Sequence, residues 1–181
     1  MKINSSTHSY KWYAAYTDSR AEKKIFSEFI KKGIECYLPL KSEKRKWSDR
    51  IKTIEKPLIS GYIFVKVSNK EFYDVLLTSG VRRYVSFEGR PVSIPEDQIN
   101  DLKYFMQCLN SAAQVTSDRI KKGDPVRIVT GPLNGLVGEV VEIRGKRCIV
   151  LRFNNLGFCV HAELGSNEIE LVNTKIQSLT I

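Results

Sequence analysis

The chain has 181 residues, 42% of them hydrophobic, enough for one ordinary domain or two small ones and too apolar for global disorder. Its 29 Lys and Arg against 20 Asp and Glu give +9, a balance that favours a polyanionic partner; residues 1–117 hold 20 of the basic and 13 of the acidic side chains, so electrostatic binding is expected mainly there. No apolar run approaches the roughly 18 residues of a membrane span, and the start, MKINSSTHSYK, lacks the apolar middle of a signal peptide, so a cytoplasmic chain with no membrane partner is expected.

Residues 1–9 read as a flexible start, and YKWYAAY (10–16) predicts an aromatic first strand. Ser19 and Glu22 fit a capping box, Ile25, Phe26, Phe29 and Ile30 share one helical stripe, and Gly33 suits a left-handed C-cap. A short strand (35–40) and a charged hairpin (44–55) follow. LISGYIFVKV (58–67) alternates, with Ile63, Val65 and Val67 on one face and Tyr62, Phe64 and Lys66 on the other. The aliphatic face is expected to be buried and the aromatic face offered to a partner. Ser68 and Glu71 make a second capping box before Phe72, Val75 and Leu76, and Gly80 ends that helix. VRRYVSF (81–87) is a strand, and Pro95 opens a third helix with Ile99, Leu102, Phe105, Met106 and Leu109 on its apolar face. The order β-α-β-hairpin-β-α-β-α predicts an α+β sandwich of ferredoxin-like type over 10–109.

NSAAQVTSD (110–118) has no period and reads as a linker. Beyond it, five short β-branched runs broken by Gly, Pro and Asn predict a small closed β-barrel over 119–173, with 174–181 as a tail. β-Branched residues and Gly138 and Gly145 make 136–153 poor helix material, so this barrel is expected to stay a barrel.

Catalysis has little support. The two histidines, His8 and His161, stand far apart in the sequence, and no phosphate loop or nucleophile elbow is present. Cys36, Cys108, Cys148 and Cys159 form no CxxC pair, so buried free thiols are expected rather than a metal site, and no cofactor is called for. Lys44, Arg45, Lys46, Trp47, Arg50 and Lys52, extended by Arg82 and Arg83, are candidate nucleic-acid contacts. Cations meet phosphates and an indole stacks a base; the bland alternative is a solvated hairpin with Trp47 folded onto the sheet.

KWYAAYTDSRAEKKIFSEFIKKGIECYLPL, KPLISGYIFVKV and VRRYVSFEGRPVSIPEDQI resemble the N-terminal (NGN) domain of the NusG family of transcription factors, and KKGDPVRIVTGPLNGLVGEVVEI resembles its C-terminal KOW domain, an SH3-like barrel. The WSDR hairpin and the KYFMQ helix are most similar to the specialised UpxY/RfaH-type branch, which acts on particular operons. The resemblance implies an elongation and antitermination factor, a monomer and not an enzyme. It implies docking on the clamp helices of the largest RNA polymerase subunit, suppression of pausing or termination, and contacts to single-stranded non-template DNA or nascent RNA. By position, Tyr16, Ile59, Gly61, Tyr62, Phe64 and Tyr84 line the polymerase-binding concavity, and Lys70, Glu71 and Tyr73 fall where specialised members touch the second-largest subunit. Gly131, Pro132, Leu133, Gly135 and Leu136 match the KOW motif, in which the two leucines are either exposed or close the barrel.

Two departures matter. Ile59-Ser60-Gly61-Tyr62 replaces the common Phe-Pro-Gly-Tyr, and Leu156 stands where general members carry an aromatic. The second counts against Rho or ribosomal protein uS10 as the KOW partner. The rival reading is a KOW-type RNA-binding or ribosome-associated protein with no polymerase dock.

Overall fold

The computed structural model describes residues 9–48, 50–109, 112–116, 123–128, 133–164 and 171–173. In chain order its elements are β1 (Lys11–Thr17), α1 (Glu22–Lys31), β2 (Glu35–Tyr37), β3 (Leu40–Lys46), β4 (Ile51–Pro57), β5 (Tyr62–Val67), α2 (Phe72–Leu76) and β6 (Val81–Tyr84). Then come β7 (Ser86–Phe87), β8 (Arg90–Pro91), β9 (Ser93–Ile94) and α3 (Glu96–Leu109). The remainder is β10 (Gln114–Thr116), β11 (Asp124–Ile128), β12 (Val137–Ile143), β13 (Lys146–Phe153), a 3₁₀ turn (Asn154–Leu156), β14 (Phe158–Glu163) and β15 (Leu171–Asn173). The chain is mixed α/β and rich in strand. It forms two compact units, Met1–Pro39 with Ile59–Ile99, and Leu40–Leu58 with Asn100–Ile181.

The first unit is built on an antiparallel sheet of order β2-β5-β1-β6, with β9 also paired to β1. Ala15, Ile63, Val65 and Val67 on one face pack with Ile25 and Phe29 of α1, Val75 of α2 and Tyr84 of β6. This is the expected aliphatic face. On the other face, Trp12, Ala14 and Phe64 are buried as well, at 1%, 0% and 0% exposure. The aromatic face of β5 is therefore open only towards its ends, at the half-buried Tyr62 and Lys66 on either side of Phe64.

The helix ends follow the local sequence in part. Gly33 has φ +71° and closes α1 as expected, with the Ile34 amide donating back to the Phe29 carbonyl at 2.9 Å. Ser68 donates to the Glu71 carboxylate from both its amide (3.0 Å) and its hydroxyl (2.9 Å). Glu71 itself, however, is the N-cap of α2 and no side chain caps that helix, so only half of the expected box forms. The Ser19–Glu22 capping box does not form. Ala21 is the N-cap of α1, and the buried Glu22 carboxylate instead accepts the Gly61 amide at 2.7 Å. A backbone N–H that would otherwise lack a partner outcompetes a local cap.

In the second unit β3 and β4 form their own two-stranded sheet, longer than the expected 44–55, in register from Leu40↔Pro57 to Lys46↔Ile51. Lys41 Nζ ties the base of this hairpin to the Ala113 carbonyl at 2.7 Å, within the same unit. The hairpin thus groups with the C-terminal part rather than with 10–39. The other strands form one sheet of order β10-β14-β13-β12-β11-β15. Strand β10 occupies part of the stretch read as linker, because Val115 and Thr116 find the open edge of β14. Residues 137–143 and 146–153 are strands, as their β-branched content requires. A bidentate ion pair from Arg152 to Glu139, at 3.0 and 2.8 Å, joins β13 to β12.

Gly61 has φ +78°, and a methyl group in place of its Hα would come no nearer than 3.9 Å to another atom, the Thr17 carbonyl oxygen. Space is thus available and the dihedral alone demands glycine. Gly61→Ala is expected to destabilise the protein by about 1–2 kcal/mol, the cost of holding an L-residue in the left-handed region. Urea denaturation measures it, and an unchanged midpoint would mean that the turn relaxes.

Candidate functional site

Two groups of side chains have the geometry of contact surfaces, and each lies within one unit. The first is at the end of β1 and β5. Thr17 donates to the Gly61 carbonyl at 2.9 Å while Gly61 donates to Glu22, so the turn entering β5 is held to both β1 and α1. This places Tyr62 directly opposite Tyr16. Their hydroxyls are 3.0 Å apart, with Tyr62 donating, and their rings lie 4.7 Å apart at 53°. Arg83, in register with Tyr16 on β6, sets its guanidinium 5.0 Å from the Tyr16 ring centroid. Both tyrosines are half-buried. Burial, then the bond to Tyr16, pushes the Tyr62 hydroxyl well above the ordinary phenol range, partly offset by Arg83, so Tyr62 stays neutral at physiological pH. The result is a rigid aromatic ridge with one cation at its side.

The other residues expected in this surface lie deeper. Ile59 is 5%, Phe64 0% and Tyr84 3% exposed, so none presents a face to a partner. Tyr84 stacks on Phe72 (4.1 Å, 20°) and donates to the Phe72 carbonyl at 3.2 Å. Phe64 stacks near Tyr37, 6.4 Å away. These rings support the sheet; aromatic residues in a central strand serve the core first. At the start of α2, Tyr73 is exposed, while the Glu71 carboxylate is engaged by Ser68 and accepts from the Tyr10 hydroxyl at 3.3 Å.

The second group is the tip of the β3–β4 hairpin. The Trp47 amide donates to the Arg50 carbonyl at 2.8 Å to close the turn; Asp49 lies outside the described residues. Trp47 is 57% exposed, so it does not fold onto the sheet. Ile51 beside it is 68% exposed, an apolar tip residue that charge counting overlooked and that its place opposite Lys46 reveals. Arg45 stands opposite Lys52, and Lys44 opposite Thr53; all four are exposed. Like charges across a strand pair are unfavourable. Near the base the sign balances, since Lys56 and Glu43 pair at 2.5 Å and lower the Glu43 carboxyl pKa. The tip is left cationic with an indole and an aliphatic side chain at its end.

Arg82 and Arg83 belong to the first unit and the hairpin to the second; Arg82 is paired with Asp18 and Arg83 with the Tyr16 ring. Within the KOW-like motif, Gly131 and Pro132 lie outside the described residues. Leu133 and Leu136 are each 1% exposed, so they are core residues of the turn rather than contacts. Gly135, at φ +91°, donates to Ile128 at 2.7 Å, and Ile128 donates to Leu136 at 3.0 Å. Leu156, 8% exposed, is also buried. Among the described residues no cluster of His, Cys, Asp and Glu could hold a metal ion, and no helix is long and apolar enough to cross a membrane.

Comparison with known proteins bears on these surfaces. The family described as NusG, transcription termination factor nusG, matches residues 10–103. The transcription termination/antitermination protein NusG of Staphylococcus carnosus (strain TM300) is 24% identical over 152 residues, spanning 76% of this chain and 81% of that protein. Its counterpart in Staphylococcus aureus (strain Mu50 / ATCC 700699) is 26% identical over 146 residues, spanning 74% of this chain and 79% of its own length. The solved structure described as domain interaction in Thermotoga maritima NusG covers 90% of this chain and 97% of its own, with a TM-score of 0.50 at 20% identity, a likeness of fold. Since the family match takes in more than half of the sequence, the chain belongs to the NusG family.

Proposed function

We propose that this chain is a transcription elongation and antitermination factor that docks on the clamp helices of the largest RNA polymerase subunit through the Tyr16–Tyr62 ridge. The observation that carries the reading is that hydrogen-bonded, half-exposed tyrosine pair, fixed by Gly61 and Glu22 and flanked by Arg83. Rigid aromatics with a polar tip supply large contact area at low entropy cost, and Arg with Tyr is the usual composition of an interface centre. Ile59, Phe64 and Tyr84 act from behind, as core.

The strand order β2-β5-β1-β6, with α1 and α2 packed on one face, supports a ferredoxin-like NGN sandwich over 10–109. The short antiparallel strands after residue 113 support an SH3-like KOW domain, enlarged at its start by β10. The cationic hairpin supports operon-specific recruitment through non-template DNA or nascent RNA. Burial of Leu156, where general members carry an aromatic, leaves Rho and uS10 weakly supported as partners. The protein acts in the cytoplasm, as a monomer, without catalysing a reaction.

Two experiments test this. In a pull-down with the clamp-helix coiled coil of the cognate polymerase, Tyr62→Ala is expected to cost tenfold or more in affinity, about 1.4 kcal/mol, while Tyr62→Phe, which keeps the ring, costs less. No binding by the folded wild-type chain would favour the RNA-binding rival. Separately, neutralising Arg45, Lys46 and Arg50 should weaken single-stranded DNA binding and flatten its salt dependence, by about 0.7 in log–log slope per lost phosphate contact. Trp47→Ala should cost about 1–3 kcal/mol with little change in that slope. Clamp-helix binding is expected to survive both changes; its loss together with DNA binding would overturn the separation of the two surfaces.

A further inference from the structure

The six-stranded sheet of the second unit holds a cleft of about 370 Å³ that the proposed function does not use. It lies within the roughly 300–1,000 Å³ of small-ligand sites. Its floor is His161 and Cys148, Ile143 gives it an apolar side, and Gln114, Arg144, Lys146 and Glu163 stand at its rim. The strand registers put these side chains on one face: Gln114 is opposite His161 across β10–β14, and Cys148 is opposite Glu163 across β13–β14. Lys146 and Glu163 neutralise each other at 2.6 Å. Arg144 has no carboxylate partner among the described residues, so the cleft carries one net cation.

His161 is 8% exposed, and its Nδ1 is buried with no hydrogen-bond partner among the described residues. Such a group is costly to leave unsatisfied and marks a position where a ligand atom or ordered water completes the site. Burial first, and then the Arg144 charge, lower its pKa, so at neutral pH the ring is uncharged and presents one donor and one acceptor nitrogen. The Gln114 amide likewise donates and accepts. Two dual-character groups facing a cavity with an aliphatic wall at Ile143 and an anion-seeking rim match the chemistry of a nucleobase and its phosphate.

We propose that this cleft is a nucleotide subsite, in which Arg144 takes the phosphate, Gln114 and His161 hydrogen-bond the polar edge of the base, and Ile143 flanks it. A free nucleotide and one residue of a single-stranded nucleic acid share this chemistry. The site goes beyond polymerase docking and does not depend on it.

The test follows the His161 imidazole signals of the full chain by NMR, with His8 replaced so that one histidine remains. AMP, GMP, CMP and UMP, a short single-stranded RNA, and inorganic phosphate are titrated in turn. A nucleotide seated as proposed shifts the His161 resonances and raises the pH at which they titrate, because its phosphate offsets the Arg144 charge. The other groups lining the cleft, Lys146, Cys148 and Glu163, are the same in every arm. Arg144→Ala and Gln114→Ala, both at exposed positions, are expected to weaken binding about tenfold, the scale of one lost hydrogen bond to a charged group or of a lost base-edge contact. Tighter binding of the RNA than of the mononucleotides assigns the source as a nucleic-acid strand, and equal binding assigns a free nucleotide. The proposal is overturned if millimolar nucleotide leaves His161 unmoved, if inorganic phosphate reproduces the whole response, or if the two variants bind like wild type.

Discussion

The first unit depends on one hydrogen bond, from the amide of Gly61 to the buried carboxylate of Glu22. It joins the first residue of α1 to the turn before β5, and Thr17 closes the same turn from β1 at 2.9 Å. A buried carboxylate accepting a backbone amide is stronger than a neutral pair and costly to break, since either partner alone would be left unsatisfied. With that turn fixed, the register Tyr16↔Tyr62 follows, and the two hydroxyls meet at 3.0 Å. The left-handed dihedral at Gly61 is what lets the chain make this turn and enter β5 immediately. The aromatic ridge is therefore preorganised by backbone and core, and a partner that meets it need not supply the entropy of ordering two rings.

The hairpin of the second unit obeys the opposite logic. A two-stranded ribbon is marginal by itself, and this one opposes Arg45 to Lys52 near its tip while exposing Trp47 and Ile51. Its anchors are at the base, in the Lys56–Glu43 pair and the bond from Lys41 to Ala113. Stability thus falls as positive charge density rises towards the tip. A polyanion laid along the tip relieves the Arg45–Lys52 repulsion that folding left in place, so binding gains from a strain that the free protein carries.

Much of this was legible in the sequence because the signals were local. The glycine after α1 and the alternating aliphatic face of β5 each express one backbone requirement or one period, and each appears where read. What could not be read needed long-range pairing. Glu22 satisfies Gly61, 39 residues away, rather than Ser19, and no local pattern distinguishes those two roles. Phe64 and Tyr84 look like partners for another molecule until the fold buries both, Phe64 in the middle of β5 and Tyr84 under the Phe72 ring of α2. Gln114–Thr116 has the composition of a linker and becomes a strand because β14 has an edge to fill. Arg82 counts as one more cation in the sequence, whereas in space Asp18 already holds it.

The two candidate surfaces respond to different physics, and this bears on how one chain could both hold a polymerase and choose where to do so. The Tyr16–Tyr62 ridge is half-buried and aromatic, so a partner docked on it would gain mainly from area and packing, which depend little on ionic strength. The hairpin tip is exposed and cationic, so a polyanion bound there would be held by phosphate contacts that weaken steeply with salt, over a screening length near 8 Å in physiological solution. A factor with only the first surface would bind every polymerase alike; one with only the second would bind any accessible strand. Selectivity arises when each is too weak alone and the two act through a shared chain, because the second contact is then made at high effective concentration. That argument favours modest affinity at both surfaces. Under the proposed function, the like-charge pair Arg45–Lys52, unfavourable in the free protein, would be relieved where a nucleic-acid strand lies within reach of the hairpin.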